Sequence, residues 1–188
     1  MKTAILLVCL FVFVPTSCTF AEDSDQGNGK DYGVAVNPVL ALFGWVSSEF
    51  NIWKVDRTGE INIPAQFAHD PFWFDEGDYS VDLFSIGMNY RKFFDKTQEG
   101  FFVQGGVTYY YAGVDGRGSA EGKSASSSQT AVLFGFGYRL ISQTNGLFWA
   151  FGLGAGRRWG TIEDTLGDEI QDDGLAIAID FLKIGYAW

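Results

Sequence analysis

The amino-acid sequence predicts an all-β fold, an eight-stranded antiparallel up-and-down transmembrane barrel, on three observations. First, the final residues alternate between an apolar face that ends on an aromatic side chain and a face of small or charged residues, as a strand between lipid and a barrel interior requires. Second, this two-residue period recurs upstream, between segments rich in Gly, Ser and Asp. Third, aromatic residues make up 17% of a chain that also has 24 Gly, which fits aromatic girdles outside a closed sheet and scarce space inside it.

The first residues predict a secretory signal peptide. A Lys follows the initial Met, and the apolar run at residues 4–14 is shorter than the roughly 20 residues that a membrane-spanning helix needs. Thr19-Phe20-Ala21 offers a small-residue cleavage site, so residues 1–21 are assigned to a cleaved signal peptide. The alternative is a lipidated N-terminus at Cys18, although Pro15 stands where bacterial lipoprotein signals usually carry an aliphatic residue.

Composition limits the chemistry of the remaining chain. Cys9 and Cys18 both lie in the predicted leader, so no disulfide or catalytic thiol is expected beyond it. Lys and Arg number 13 against 23 Asp and Glu, and the formal net charge of -10 argues against nucleic acid as a partner. Residues 22–31 are polar and are assigned to a disordered lead-in, and residues 32–188 are assigned to one barrel domain.

Four strands are the clearest in the alternation pattern. The residues assigned to their lipid-facing sides are Phe84, Ile86, Met88 and Tyr90; Phe101, Val103, Val107, Tyr109 and Tyr111; Val132, Phe134, Phe136, Tyr138 and Leu140; and Leu147, Trp149, Phe151, Leu153 and Ala155. The opposite faces of the last two strands carry the glycines Gly135, Gly137, Gly152, Gly154 and Gly156. Because eight strands enclose only enough room for side chains, these glycines are expected to make room for larger partners across the interior.

The connections alternate in length, which predicts short periplasmic turns and longer loops outside the cell. The short turns fall near residues 56–59, 95–100 and 142–146, and the long segments are residues 69–78, 114–129 and 161–173. This pattern gives seven strands, and a chain with both ends in the periplasm needs an even number. The eighth strand is therefore placed at residues 32–42.

Two places in this scheme are irregular. Pro38 cannot donate a ladder hydrogen bond, so a bulge or a short helical plug is expected at residues 38–43. In the last strand, Ile179 and Phe181 fall on the inward face and Asp180 falls on the outward face. A bulge near Asp180, or a position of this residue at the level of the lipid headgroups, would reconcile the pattern.

The leader, the strand rhythm and the final Tyr186-Ala187-Trp188 resemble small bacterial outer-membrane β-barrels of the eight-stranded class. More narrowly, Asn37-Pro38-Val39 through Leu42-Phe43-Gly44, followed by Ser48-Glu49-Phe50, is similar to the opening of an uncharacterised family of outer-membrane barrel domains. The resemblance implies a monomer in the bacterial outer membrane, surrounded by lipid and lipopolysaccharide. It also implies recognition by the barrel assembly machinery through Tyr186 and Trp188, although Lys183 replaces the Gly that this signal often carries.

The sequence predicts no catalytic residue, cofactor or metal site. His69 is the only histidine, and it precedes Asp70 and Pro71 as a turn residue would. Some barrels of the resembled architecture are lipid A deacylases or palmitoyltransferases, and the deacylases need a Ser activated by a nearby base. No His-x-Ser pair is present here. The Gly-x-Gly patterns at Gly135 and Gly152 fall on strands with no following helix, which excludes a phosphate-binding loop.

Four charged residues fall on faces that point into the predicted interior: Glu49, Arg91, Arg139 and Lys183. An unpaired charge there would be costly, so we expect an internal ion-pair network. Two interpretations of this network stay open: a polar core that fills the barrel, and a gate or narrow conduction path.

Two further segments have alternative interpretations. Residues 161–173 carry six acidic side chains, either a solvated loop or a site for divalent cations at a lipopolysaccharide surface, without the order of a calcium loop. Phe72, Trp73 and Phe74 are part of an aromatic girdle or form an adhesive patch.

These observations predict a non-enzymatic outer-membrane barrel with a structural, surface-interaction or envelope-integrity role and an interior filled by side chains. The alternatives are a small pore for minor solutes and a lipid-modifying enzyme. A soluble ligand-binding barrel would keep its outward faces polar, and this chain places Phe, Ile, Val and Leu there.

Overall fold

The computed structural model describes residues 30–53, 58–71, 77–95, 97–164 and 169–188. The strands are β1 (Tyr32–Val36), β2 (Trp45–Trp53), β3 (Gly59–His69), β4 (Tyr79–Phe93), β5 (Gly100–Gly116), β6 (Ser124–Ile141), β7 (Leu147–Asp164), β8 (Glu169–Gln171) and β9 (Gly174–Ala187). The helical elements of the described residues are α1 (Pro38–Leu42) and a 3-10 turn (Gly118–Ala120). The predicted leader and nearly all of the predicted lead-in lie outside the described residues.

The strands form one antiparallel sheet that closes into a ring. Each strand from β1 to β7 pairs with the next along the chain, and β9 pairs with β7 on one side and with β1 on the other. The three residues of β8 pair with β7 beyond the point where β9 begins, so the ring has eight strands. The predicted all-β class, the antiparallel pairing and the number of strands in the ring are confirmed. No helix in the described part of the chain has the length and apolar character to cross a membrane.

Side chains alternate between the inside and the outside of this ring. On β4, Phe84, Ile86 and Met88 are exposed on the outer face, while Ser85 and Arg91 are buried on the inner face. The same alternation follows β5, β6, β7 and β9, as the sequence predicts. The outer surface of the ring is therefore covered by apolar and aromatic side chains.

The two ends of the ring differ, and we call them the base and the rim. At the base, Trp188 and Tyr32 join the two ends of the ring, with the Tyr32 N–H donating to the Trp188 carbonyl at 3.1 Å. Lys30 and Asp31, which the sequence assigns to the lead-in, are also held there, because the Asp31 N–H donates to the Trp188 carbonyl. The rim carries the hairpins that follow β3, β5 and β7.

The base is closed by large apolar side chains on the inner face. Trp53 and Phe148 meet edge to face with ring centroids 6.5 Å apart, and Phe93 packs on Phe102 at 5.3 Å. Glycine makes this packing possible: a Cβ on Gly137 would lie 2.3 Å from the Phe102 ring. The expectation that inward glycines leave room for larger side chains holds at this position.

The chain between β1 and β2 is helical, one of the two structures expected around Pro38. Asn37 is the N-cap residue, and its side-chain oxygen accepts a hydrogen bond from the Leu40 N–H at 3.1 Å. Pro38 occupies the first turn, where its missing N–H costs nothing. The expectation of a plug is not met, because none of the residues of α1 is buried, and the helix contacts β2 and β9.

Two of the predicted long outer loops are mostly strand. Residues 114–129 form the top of β5, a tight turn and the start of β6, and the pairs continue to Asp115 and Ser124. Residues 161–173 include the end of β7 and all of β8, paired from Thr161 to Glu163. The loop assignment was wrong because Ser, Gly and acidic residues suggest a turn, while pairing to a neighbouring strand satisfies their backbone groups equally well.

The irregularity in the last strand is a bulge, one of the two explanations that the sequence left open. The register between β7 and β9 shifts between the pairs formed by Ala150 and Gly152. Lys183 pairs with Ala150 and Asp180 pairs with Gly152, so β9 holds one additional residue there. As a result Ile179 is exposed outside the ring and Asp180 reaches Lys183 inside it.

Candidate functional site

The inner face of the ring holds a cluster of charged side chains, which we call the ion-pair cluster. Its members are Glu49 on β2, Glu60 on β3, Arg91 on β4, Arg139 on β6, and Asp180 and Lys183 on β9. The two-residue period of each strand turns these side chains inward, and the ring brings them to one level. The structure thus places together all four of the charges selected from the sequence.

Arg91 is the centre of the cluster. Its Nη1 and Nη2 atoms donate to the two carboxylate oxygens of Glu49, both at 3.1 Å, and Nη1 also donates to Glu60 at 2.9 Å. Its Nε atom donates to Gln104 at 2.9 Å. The side chain is 2% exposed and those of its acidic partners are at most 1% exposed. Arg91 therefore ties β2, β3 and β5 to β4 in a site without bulk water.

Arg139 lies between the cluster and the aromatic layer at the base. Its Nη1 and Nη2 atoms both donate to the Glu60 carboxylate. The guanidinium also lies over the rings of Phe93 and Phe148, each at 4.8 Å from the ring centroid. Aromatic faces stabilise a desolvated guanidinium, so Arg139 joins the polar cluster to the apolar floor below it.

The third cation, Lys183, completes a balanced set of charges. Its Nζ atom pairs with Glu49 and lies 2.9 Å from the Asp180 carboxylate. The cluster therefore holds three acidic and three basic side chains. Equal numbers of both signs leave no net charge to be compensated in the interior.

A row of amides extends the cluster. The Asn62 side chain donates to Asn51 at 2.9 Å, and the Asn89 side chain donates to Asn62 at 3.2 Å. Asn51 in turn donates to Glu49 at 3.3 Å. Together with the charged side chains, these amides cross the ring at one level and connect β2, β3 and β4.

Above the cluster, toward the rim, the interior is open. We call this space the vestibule, a cavity of about 350 Å³ lined by residues of six strands, among them Trp45, Leu83, Tyr110, Ala112 and Gln129. A smaller cavity of about 60 Å³ lies below it and reaches Asp180 and Lys183. The ring is thus a cup with a filled base and an open upper half.

The charged side chain in the wall of the vestibule is already paired. Arg158 lies 3.2 Å from the Asp172 carboxylate and donates to the Gln129 side-chain oxygen at 3.2 Å. The Gln129 amide nitrogen donates to Asp172 at 2.7 Å and to Ser127 at 3.0 Å. Two acidic residues of the predicted outer loop thus have ion-pair partners. Asp172 pairs with Arg158, and Asp173 lies 3.7 Å from Arg157.

A second polar cluster joins two hairpins at the rim. Asp70 accepts hydrogen bonds from the Val81 N–H at 2.8 Å and from the Ser80 hydroxyl at 2.9 Å, and it pairs with Arg117 at 2.7 Å. Partial desolvation raises the pKa of Asp70, but these three donors outweigh it and lower the pKa to about 2. Asp70 has φ = 44°, a left-handed conformation that Asp tolerates.

His69 lies beside this rim cluster, at the end of β3. Its Nδ1 atom is 2.7 Å from the Asp82 carboxylate, and both side chains are about half exposed. The nearby Ser80 hydroxyl bonds to Asp70 instead of the imidazole. Within the described residues, no group of three His, Cys, Asp or Glu side chains converges to hold a metal ion.

Comparison with known proteins adds no relative. No protein-family model matches the chain, and no curated protein and no solved structure matches it either. The resemblance to an uncharacterised outer-membrane barrel family therefore stays a prediction. What the chain does has to be argued from its own geometry.

Two of the six charged side chains of the ion-pair cluster were missed from the sequence. Glu60 was not selected and Asp180 was assigned to the outer face, yet both carry cluster contacts. A signal for Glu60 is present, because three of the five residues on its face of β3 are polar: Glu60, Asn62 and Gln66, with Pro64 and Ala68 as the exceptions. The two residues of the predicted assembly signal, Tyr186 and Trp188, are exposed on the outer face. Phe72, Trp73 and Phe74 lie outside the described residues.

Proposed function

We propose that this chain is an up-and-down β-barrel of the bacterial outer membrane, exported through a cleaved signal peptide, with a non-enzymatic structural, surface-interaction or envelope-integrity role. The observation that carries the proposal is the combination of an apolar outer face on a closed ring with an interior blocked by paired charges. In this ring the first strand, β1, pairs with the last strand, β9. Lipid accepts only structures whose backbone groups are satisfied internally.

The outer face supports a lipid environment. Large apolar side chains are exposed on every strand of the ring, with Met88 at 63%, Phe134 at 68% and Leu175 at 70%. A soluble monomer rarely exposes contiguous apolar patches beyond a few hundred Å², and here the apolar surface encircles the molecule. Contact with hydrocarbon removes the cost of that exposure.

An aromatic band near the base also supports a lipid environment, and it indicates how the ring is oriented in the membrane. Tyr32 lies 6.2 Å from Phe50 and 6.4 Å from Trp188, and Phe101 lies 4.9 Å from Tyr138, measured between ring centroids. Aromatic residues collect at the membrane–water interface, so this band marks one edge of the hydrocarbon layer. The base is then periplasmic and the rim hairpins face the outside, where lipopolysaccharide and surface partners are met.

The filled base supports a structural role over a pore. Ions passing through would have to displace the ion-pair cluster and the aromatic floor formed by Trp53, Phe93 and Phe148. Breaking one such buried pair costs about 3–5 kcal/mol, and a continuous path needs several to break together. The vestibule alone does not cross the ring.

Three measurements test the proposal. The folded protein, kept unboiled before gel electrophoresis, should migrate differently from the boiled sample and should fractionate with outer membranes. In planar bilayers it should give no stable conductance. A mobility that does not change on boiling would overturn the membrane barrel, and a reproducible open channel would replace the structural role with the small pore.

A further inference from the structure

We propose that the vestibule and the smaller cavity below it form one binding site for an uncharged sugar residue, which enters from the rim. This inference rests on the proposed function, because it names the class of ligand that the outward-facing rim meets. The class of ligand is inferred from the way into the site, the unpartnered polar side chains in it and the balance of charge in its walls.

The two cavities adjoin each other. Gln66, Ser85 and Tyr110 line both of them, so the polar groups of the smaller cavity lie at the bottom of the vestibule. The volumes are about 350 Å³ for the vestibule and about 60 Å³ for the smaller cavity. Sites for small molecules have volumes of about 300–1,000 Å³, so the space is large enough for a ligand of the size of a sugar.

The way into this space is from the rim. Below the cavities, the ion-pair cluster and the aromatic floor close the interior. In the part of the chain that the structure describes, no residue of α1 or β9 lines the vestibule, and α1 contacts β9, so that side of the wall is no entrance. The wall is formed by the upper halves of the strands, from Trp45 at the start of β2 to Ala112 near the end of β5. A ligand therefore arrives from the end opposite the base.

Polar side chains without partners lie where the two cavities meet. Ser85 is 7% exposed and lines both cavities, yet its hydroxyl makes no hydrogen bond with the described residues. Gln66 pairs in register with Ser85 and also lines both cavities, and its side-chain amide has no partner among the described residues either. Buried polar groups without partners are costly, so a ligand with hydroxyl groups stabilises this part of the interior and a hydrocarbon does not.

Further hydrogen-bonding groups lie below and above this level. Asn89, Gln104 and Thr108 line the smaller cavity and add amide and hydroxyl groups, which both donate and accept hydrogen bonds. In the wall of the vestibule, the buried Nε atom of Arg158 has no acceptor among the described residues. Trp45 adds an aromatic ring, against which the C–H face of a sugar packs. The site therefore offers an aromatic surface above and hydrogen-bonding groups below.

The charges in the walls are balanced, which favours an uncharged ligand. At the bottom, Lys183 Nζ lies 2.9 Å from the Asp180 carboxylate and also pairs with Glu49. In the upper wall, Arg158 lies 3.2 Å from the Asp172 carboxylate. A carboxylate or an ammonium group placed between these pairs adds a charge without a counterion. A ligand that meets all of these conditions has an apolar face, several hydroxyl groups and no net charge, as a neutral hexose does.

Saturation-transfer NMR on the full chain, folded in dodecylphosphocholine micelles, tests the proposal. The probes are D-glucose, D-galactose and D-mannose, with D-glucuronate as the charged match of glucose. We expect saturable transfer to at least one hexose and at least about tenfold weaker binding of glucuronate. The absence of saturable transfer to all three hexoses overturns the site, and equal binding of glucuronate overturns the requirement for an uncharged ligand.

Methyl glycosides of the same hexoses distinguish the two sources of such a ligand. A methyl glycoside keeps the sugar ring and blocks the anomeric hydroxyl, as a linkage in a saccharide chain does. Undiminished binding of the glycoside assigns the site to the ends of surface saccharide chains, and loss of binding assigns it to free sugars.

Variants place the binding inside the ring. Ser85→Ala removes the unpartnered hydroxyl and should weaken hexose binding about threefold to tenfold. Ala112→Phe fills part of the vestibule and should abolish binding, whereas Ala155→Phe, a matched change on the outer face, should leave it unchanged. If Ser85→Ala and Ala112→Phe both bind as the wild type does, the site is overturned. Should Ala112→Phe not fold, Ser85→Ala, which removes one oxygen atom, decides alone.

Gel mobility of the same samples before and after boiling separates failure of this inference from failure of the proposed function. Protein that changes mobility on boiling but shows no saturable hexose binding overturns the sugar site and leaves the barrel. Protein whose mobility does not change overturns the membrane barrel, and this inference with it. The same gels establish that each variant is folded before its binding is compared with the wild type.

Discussion

Arg91 holds Glu49 with two parallel hydrogen bonds, Nη1 to Oε1 and Nη2 to Oε2, across the intervening strand β3. Such two-pronged pairing of guanidinium and carboxylate fixes both position and orientation. Because Arg91 contacts Glu60 as well, one side chain sets the distance between three strands. The interior is therefore organised around this pair.

Removing Arg91 should destabilise the ring more than removing it together with Glu49. Arg91→Gln leaves Glu49 and Glu60 with excess negative charge in a buried site, at a cost of about 3–5 kcal/mol. The double variant Arg91→Gln, Glu49→Gln restores equal charge and should recover part of that loss. Urea unfolding in lipid vesicles, followed by Trp fluorescence, measures both. Equal unfolding midpoints for the two variants would contradict the balanced cluster.

Gly137 and Gly152 form a matched pair for testing the packed base. A Cβ at Gly137 would lie 2.3 Å from the Phe102 ring and 2.4 Å from the Phe151 carbonyl, whereas the closest atom at Gly152 is 3.4 Å away. We expect Gly137→Ala to cost about 1–3 kcal/mol through overpacking and Gly152→Ala to cost much less. The temperature at which the compact gel band disappears compares them. If the compact band of Gly137→Ala disappears at the same temperature as that of the wild type, the inner face at Gly137 is not tightly packed.

The Asp70 carboxylate should titrate with a midpoint at about pH 2. Since its folded pKa lies below the unfolded value of about 3.9, its contribution to rim stability is complete above that value and is lost as the pH falls toward 2. Carboxyl ¹³C shifts measured against pH give the midpoint. Arg117→Gln removes the cationic partner and should move the midpoint upward, and an unchanged midpoint would show that Arg117 has no influence on Asp70.

Trp188→Ala should impair assembly in cells more than folding in vitro. The backbone bonds between Trp188 and Tyr32 do not need the indole, so the purified variant should still refold into vesicles. If the exposed aromatic ring is the assembly signal, less of the heat-modifiable form should reach the outer membrane in cells. Trp149→Ala, on the same outer face, serves as the control. Equal membrane yields for Trp188→Ala and the wild type would show that Trp188 is not part of the assembly signal.

The strands with regular alternation could be predicted, because a strand between two environments carries apolar residues on one face and polar or small residues on the other. Phe84, Ile86 and Met88 were assigned to the outer face from alternation alone, and they are exposed there. Asp180 was misplaced because a single additional residue reverses the faces of everything beyond it. Sequence periodicity detects such a bulge as an inconsistency without fixing its position.

The partners inside the ring could not be predicted, because they depend on register. Arg91 meets Glu49 only because β2 and β4 flank β3 in a particular alignment, and the two residues are 42 positions apart. The vestibule could not be predicted either, because residues of six strands line it and their alignment is not visible in the sequence.

The hydrogen bonds between Tyr32 and Trp188 impose an order on biogenesis. β1 finds its second neighbour only when β9 is present, so no fragment that lacks β9 can close the ring. Loop-closure entropy makes such a distant contact slow to form, and the edge of β1 that pairs with β9 stays unpaired in the meantime. A delay before closure is therefore a consequence of the topology.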